Sequence, residues 1–384
     1  MTNARTTDVC VIGGGLLGTA TALFAARAGL TCTVVERGDL AAGASGAAFG
    51  GVSVGIYSYS SARVPESYVR LSQASLDLYH RLSEELGPPL DFDAPGSLDP
   101  FFDPATSVTR RERVEGLNAC GVPCELLSAA EVRKLEPALS PKIAGATYCP
   151  VDGHVTPMNV VWAMALAARS AGVKFLTDTP VDTIVYRDGE VKGVRTARGE
   201  LSAGWIVNTA GVGAPGLSSQ LGVHIPMDST RGQMFVTERI PPLLNTYVHN
   251  IKQTRSGTIV FGATRESGTL DVGTTVEGAK QVVNWAVGVV PPLADVRILR
   301  SWAGIRPVPA DGYPVIGRVD GVDRFLVAVM HRGVTFAPLI GKILVDLIVE
   351  GETDLDISPY QLSRFADAAV DDEVIVEETY YAER

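Results

Sequence analysis

Gly13, Gly15 and Gly18 form a Gly-x-Gly-x-x-Gly turn between an apolar run, DVCVI at 8–12, and an alanine-rich stretch of helical character. A second apolar run, TVV at 33–35, follows and ends in Glu36. Strand, glycine turn, helix and strand in this register read as one βαβ unit. Each glycine meets a separate requirement: Gly13 the tight turn, Gly15 the approach of backbone to a diphosphate, Gly18 the close packing of helix on strands. Free N–H groups and the helix dipole then favour an anion at the helix start. Glu36 lies about 20 residues beyond the turn, where an acid accepts from both hydroxyls of a ribose. The glycines alone are a weak signal; with both strands, the helix and Glu36 in register they predict dinucleotide binding.

A secretory signal peptide is the competing reading of the same stretch, since residues 10–26 are apolar and Arg5 precedes them. Such a leader needs neither the glycine spacing nor a strand ending in an acid, and its basic segment would here carry Asp8. Lys342 and Asp346 interrupt the most hydrophobic C-terminal helix pattern, and Pro291 and Pro292 interrupt the other long apolar stretch. No run of about 20 apolar residues remains to span a bilayer, so a soluble, cytoplasmic protein is expected. The 384 residues, 46% of them hydrophobic, suffice for a large core and two domains. A net charge of −10 argues against nucleic acid, and no basic tract offers an anionic membrane a handle. The five cysteines lack metal-site spacing. Cys120 and Cys124 flank Gly-Val-Pro as expected neighbours in a turn, serving packing rather than a metal or redox centre.

Residues 43–51 are rich in Gly, Ala and Ser, small enough for the chain to run close beside a flat ligand. Tyr68, Leu71, Leu76, Tyr79, Leu82 and Leu86 then recur near helical spacing until GPP at 87–89 stops the helix. Residues 90–148 read as short strands and one charged helix, of a different character. A helix pattern returns at 158–171, followed by strands, an Asp188-Gly189 hairpin and a strand at 205–208. That strand meets Ala210 and Gly211, a second place where backbone approaches a dinucleotide. Residues 225–300 alternate in strand fashion. Elements of two kinds thus alternate along the chain, which predicts domains discontinuous in sequence.

WAGIRP at 302–307 precedes a strand at 325–329 that leads into HRGVTFAP at 331–338. The latter is again a strand, a glycine turn and a helix start, able to aim N–H groups at a developing anion. A reduced isoalloxazine presents such an anion at its pyrimidine carbonyl. A nicotinamide enzyme, the distant alternative, has no use for this second helix terminus.

These motifs together resemble the D-amino-acid oxidase superfamily of flavoenzymes, over nearly the whole chain from Asp8 to Phe365. Within it the chain is most similar to glycine oxidases, sarcosine oxidase β subunits, hydrogen cyanide synthase C subunits and opine oxidase B subunits. Arg231, Gly232 and Gln233 carry the likeness to the last group. The resemblance implies an α/β fold: an FAD-binding Rossmann-like domain of the glutathione-reductase type with a second, mainly antiparallel β substrate domain. The expected boundaries are 1–90, 145–222 and 301–365 for the first, 91–144 and 223–300 for the second, and an acidic tail at 366–384.

By position, the family places Gly13, Gly15, Leu16, Leu17 and Gly18 at the diphosphate turn, and Glu36 and Arg37 at the adenosine end. Ala44 and Ser45 follow, Phe49, Gly50 and Gly51 lie beside the ring, and Val181 lies at the adenine. Ala210 and Gly211 form the second backbone approach, and Gly333, Val334 and Thr335 the pyrimidine edge. Some relatives attach flavin through Cys or His; the matching stretches here hold neither, so a non-covalent FAD is expected. Pro157, Met158 and Asn159 stand where some heteromeric relatives tether a second flavin through His. Arg306 and Arg332 match positions that anchor a substrate carboxylate in glycine oxidases, although many multi-subunit relatives have Ser at the second. A planar, permanently charged guanidinium suits that task; a structural salt bridge is the plainer role for either arginine. His331 is expected to orient ring or substrate, or to cap the helix. Tyr247 and His249 precede a strand at 259–261, roughly where substrate-domain side chains line the pocket of relatives, or else serve packing.

The implied chemistry is oxidation of a carbon–nitrogen bond by hydride transfer to flavin, for which positioning does most of the work. The substrate would be an amino acid or N-alkylated amino acid. Two roles stay open: a catalytic subunit or stand-alone oxidase, and a flavin-bearing scaffold whose partner does the chemistry. Monomeric sarcosine oxidases carry a Lys where this chain has Val260, which tilts the expectation toward a partner that takes the electrons, sometimes through an FMN at the subunit boundary. The tail, with acids at 371–373 and tyrosines at 380–381, is the expected docking segment or else a disordered acidic end.

Overall fold

The computed structural model describes residues 5–54 and 64–366. The expected tail at 366–384, Ala366 apart, lies outside the described residues.

The βαβ unit forms as read: strand Arg5–Ile12, helix Leu16–Arg27 and strand Cys32–Val35. Gly13 adopts φ +109°, and a Cβ there would lie 2.6 Å from the Thr209 carbonyl oxygen. A Cβ on Gly18 would overlap the Gly13 carbonyl oxygen, so the helix presses directly on the turn. The strands on either side of Arg5–Ile12 run parallel to it, with Ile12 level with Val35 and with Asn208. Gly13, Glu36 and Thr209 therefore emerge together at the carboxyl ends of the strands, the crevice where open α/β sheets bind ligands.

From one edge, this sheet runs Val315–Val319, Val322–Val329, Gly199–Asn208, Arg5–Ile12, Cys32–Val35 and Lys174–Leu176. The hairpin Val181–Arg187 and Glu190–Thr196 joins it through the latter strand. Asp188 and Gly189 both take positive φ, +54° and +82°, as its two-residue turn requires. Cys32–Val35 is buried at every position, the pattern of a strand covered on both faces. Helix Leu16–Arg27 supplies one cover and packs on helices Pro157–Ser170 and Gly333–Val349. Their approach is close: a Cβ on Gly341 would lie 2.6 Å from the backbone of Ala20 and Thr21. Among the described residues, no helix is long and apolar enough to cross a membrane.

A second sheet runs Ile298–Pro309, Met227–Arg239, Thr258–Gly262, Ile251–Gln253, Tyr247–Val248, Ser97–Phe101, Gly145–Cys149 and Glu125–Ser128. Apart from the pairing of Tyr247–Val248 with Ser97–Phe101 its neighbours are antiparallel. Helix Val276–Val289 buries Val282, Trp285, Ala286 and Val289 toward it, and the Thr275 side chain caps its start by accepting from Gly278 N–H at 3.1 Å. Val282 and Val289 each contribute about 1.5–3 kcal/mol by burial. Strands Gly145–Cys149 and Ile298–Pro309 both pair in this second sheet, on the far side of the boundaries expected at 145 and 301. The side chain of Cys124 meets Cys149 of that sheet, and both are free thiols in the packing.

Candidate active site

A cavity of about 900 Å³ runs from the carboxyl ends of the first sheet to the inner face of the second. At one end lie Glu36, Arg37 and Val181, then Gly13, Gly15, Leu16, Leu17, Ala210 and Gly211. Ala44, Ser45, Phe49, Gly50 and Gly51 line its middle, with Gly333, Val334 and Thr335 beside them. Of the residues expected at the cofactor, Gly18 alone stays out of the lining, consistent with its contact to the Gly13 carbonyl. Glu36 is held ready: one carboxylate oxygen accepts from Gly14 N–H at 2.6 Å and the other from Gly38 N–H at 2.9 Å. Each oxygen keeps a further lone pair for a hydroxyl. Ser45 Oγ accepts from Leu16 N–H at 3.0 Å at the helix start.

The 43–51 segment is fastened to the second sheet. Trp302 Nε1 donates to the Ala47 carbonyl at 3.0 Å, and Gly304 leaves room for the Ala47 side chain. Thr335 Oγ1 donates to the Gly51 carbonyl at 3.3 Å, tying the same segment to the start of helix Gly333–Val349. Arg332, in the left-handed region at φ +47°, turns the chain from strand Val322–Val329 into that helix. The first N–H groups of a helix have no intrahelical acceptor, and here Gly333, Val334 and Thr335 carry them at the cavity wall.

Arg306 lies on strand Ile298–Pro309, whose partner strand places Thr230 opposite Arg306 and Gly232 opposite Gly304. Side chains on one face recur every second residue, so Arg306, Gly304, Gly232 and Met234 share the face that lines the cavity. The guanidinium lies over Gly232, whose Cβ would overlap it. Its Nη1 donates to the Thr264 carbonyl at 3.0 Å and to the Arg231 carbonyl at 3.3 Å. The Arg231, Gly232, Gln233 motif thus divides its work across the two faces. Gly232 makes the bed for Arg306; Arg231 pairs with Glu266 and, at 2.8 Å, Asp271. Gln233 Oε1 accepts from Thr275 N–H at 2.8 Å at the start of helix Val276–Val289.

Arg332 also lines the cavity, but its guanidinium is tied into the protein. It donates to the Ser53 carbonyl at 2.7 Å, Ser53 Oγ at 2.5 Å and Tyr68 Oη at 3.2 Å, and lies over the Tyr68 and Phe336 rings. His331 is half-buried beside it, and desolvation, then the charges of Arg306, Arg265 and Arg332, holds its imidazole pKa well below the usual value. It is therefore neutral near pH 7.

Tyr247 departs from the expected pocket position. It is wholly buried outside the cavity lining, 6.2 Å from the Phe49 ring and 6.1 Å from His154, because strand Tyr247–Val248 sits mid-sheet behind residues 49–51. His249, two residues on, does reach the cavity. Its Nδ1 lies 3.1 Å from Asp99 Oδ1, and Arg110 pairs with the other Asp99 oxygen. Burial pushes the His249 pKa down, with Asp99 opposing. Of this cluster the sequence reading named His249 but neither Asp99 nor Arg110. It also passed over Lys252, which pairs across strands with Val260 and is buried with Nζ 5.0 Å from the Phe49 ring centroid.

A family model described as FAD dependent oxidoreductase matches residues 8–347. The chain belongs to that family. Among curated relatives, this oxidoreductase is 32% identical over 348 residues to a glycine oxidase of Bacillus licheniformis, covering 89% of this chain and 93% of the relative. It is 32% identical over 319 residues to hydrogen cyanide synthase subunit HcnC of Pseudomonas protegens, covering 80% and 76%. Among solved structures, a glycine oxidase from Geobacillus kaustophilus superposes with a TM-score of 0.87 at 27% identity, over 94% of this chain and 99% of that one. The nicotinamide alternative is thereby set aside. The residues present also fit FAD on their own terms: one continuous cavity joins a glycine-turn helix start to a second helix start, with a ribose-type acid at one end.

Proposed function

We propose that this oxidoreductase uses non-covalently bound FAD to oxidise the C–N bond of an amino acid or N-alkylated amino acid. Bound FAD supplies the acceptor for the hydride leaving the α-carbon. The amine nitrogen gives its proton to solvent, and water hydrolyses the imine so formed. The observation that carries this reading is Arg306, a guanidinium laid over Gly232 at the wall of the cavity that Gly51 and Gly333 to Thr335 also line. A carboxylate paired there is held by charge-assisted, bidentate hydrogen bonds, which orient the α-carbon without any general base. Neutral His331 beside it can accept from the substrate amine, which must also be neutral to release a hydride. Anaerobic mixing with secondary amino acids, D-amino acids and opines tests the reading: at least one class bleaches the flavin absorbance, and a flavin untouched by all three overturns it. Acid precipitation should release the FAD intact; flavin retained by the pellet overturns the non-covalent part.

We infer further that the chain is the catalytic subunit of a heteromeric, cytoplasmic enzyme. Support comes from a relative that is by name a subunit of hydrogen cyanide synthase and from five free cysteines, the state expected in a reducing compartment. An interfacial FMN belongs to the same reading and rests on the family resemblance. Deleting the residues after Phe365 should preserve FAD content and anaerobic reduction while weakening co-purification with a partner; unchanged assembly removes the tail from that role.

A further inference from the structure

The charge lining the cavity is not what a single substrate carboxylate requires. The chain carries a net charge of −10, yet among the described residues, away from Glu36 and Arg37, the cavity wall holds Arg110, Arg113, Arg265, Arg306 and Arg332 against Asp99 and Asp103. Most of these cations have assigned work. Arg110 pairs with Asp99, Arg332 is tied to Ser53 and Tyr68, and Arg306 is the carboxylate anchor proposed above.

Arg265 is different. It lies on the chain just beyond strand Thr258–Gly262, exposed at the cavity wall. Among the described residues it makes no hydrogen bond or ion pair. The acids near it are already engaged: Glu266 accepts from Arg231 at 3.0 Å, Gln233 at 2.8 Å and Thr264, and Asp271 accepts from Arg231. The backbone that carries Arg265 is tied to Arg306, whose Nη1 donates to the carbonyl of Thr264, the residue immediately before it. Arg265, His331 and His249 line the same cavity, and the Arg265 charge helps to hold both imidazoles below their ordinary pKa. An unpaired guanidinium at the wall of a binding cavity gains most from an anion that arrives with the ligand.

We propose that Arg265 is a specificity residue for a second carboxylate, so that the substrate is an amino acid dianion, its extra carboxylate carried on the nitrogen substituent or on the side chain. This rests on the amino acid reading above. Two thioethers that contain no amine and cannot react report binding alone: thiodiglycolate, with two carboxylates, and (methylthio)acetate, with one. Titrated into the FAD-loaded protein and followed by calorimetry, thiodiglycolate should bind about 10- to 100-fold more tightly, the worth of one charge-assisted pair. Arg265→Gln should abolish most of that gap and Arg265→Lys should restore part of it. Equal binding of the two probes by the unaltered protein, or a gap that survives Arg265→Gln, overturns the proposal. Anaerobic reduction by iminodiacetate against sarcosine, and by aspartate against alanine, tells which arm carries the second carboxylate. A protein reduced by no amine overturns the amino acid reading, while the thioether gap still decides Arg265.

Discussion

Tyr79 Oη donates to the Val334 carbonyl at 2.5 Å, the acceptor that residue 338 would engage in an unbroken helix. Residue 338 is Pro338, which has no N–H to give. Ser75 Oγ similarly donates to the Thr335 carbonyl at 2.6 Å. Helix Glu66–Leu86 therefore repairs the first turn of helix Gly333–Val349, the turn that presents N–H groups to the cavity. Tyr79→Phe leaves a buried carbonyl unsatisfied and should cost about 1–3 kcal/mol, read as a lower urea midpoint with weakened FAD retention. An unchanged midpoint would mean that the Pro338 gap needs no donor.

Gly18→Ala should fail more severely than its single methyl suggests. The added carbon overlaps the Gly13 carbonyl oxygen, so helix Leu16–Arg27 must lift from the turn. Overpacking of this kind costs about 1–3 kcal/mol, and the displaced helix start should also lose FAD. The flavin-to-protein absorbance ratio of the purified variant checks this; full occupancy would refute it.

Arg306→Lys should raise the substrate constant about tenfold or more, since a charge-assisted pair contributes about 1.5–3 kcal/mol. The flavin spectrum should be unaltered. Lysine retains the charge but not the planar fork that lies over Gly232. Steady-state kinetics with the best substrate from the anaerobic panel decides it.

Lys252 makes stability depend on alkaline pH. Burial pushes its pKa down from 10.5 to about 7, with Asp91 opposing, and Nζ donates to the Val155 carbonyl at 2.5 Å. Between about 7 and 10.5 the unfolded chain holds a proton that the folded chain has released. Folding stability from this group therefore rises with pH across that window, by up to about 1.4 kcal/mol per pH unit. Urea unfolding at pH 7 and pH 9 should show this rise for the unaltered protein and a smaller one for Lys252→Met. Parallel pH profiles would exclude Lys252.

What could be read without coordinates was local. The βαβ unit, the Asp188-Gly189 hairpin and the helix start at Gly333 all depend on periodicity and on glycine where the backbone needs it. Such signals occupy a few consecutive residues, and their stereochemistry is decided within that span. The Arg231, Gly232, Gln233 motif was visible as a likeness, but its reason was not. Gly232 has to be bare because a second strand, more than 70 residues later, delivers Arg306 onto it.

The remainder was settled by packing between distant segments. Tyr247 and His249 are two residues apart, the first on a short strand and the second in the turn after it, yet one is sealed behind Phe49 and the other reaches the cavity beside Asp99. The local sequence carries no information about which distant segments cover each of them. Arg265 looks in sequence like any exposed arginine after a strand. Only the folded chain shows that Arg231 and Gln233 occupy the nearby acids and that the Arg306 hydrogen bond to Thr264 sets Arg265 at the cavity wall. Glycine turns and hydrophobic periods are properties of the chain, whereas the pairing of a charge depends on every segment that packs around it.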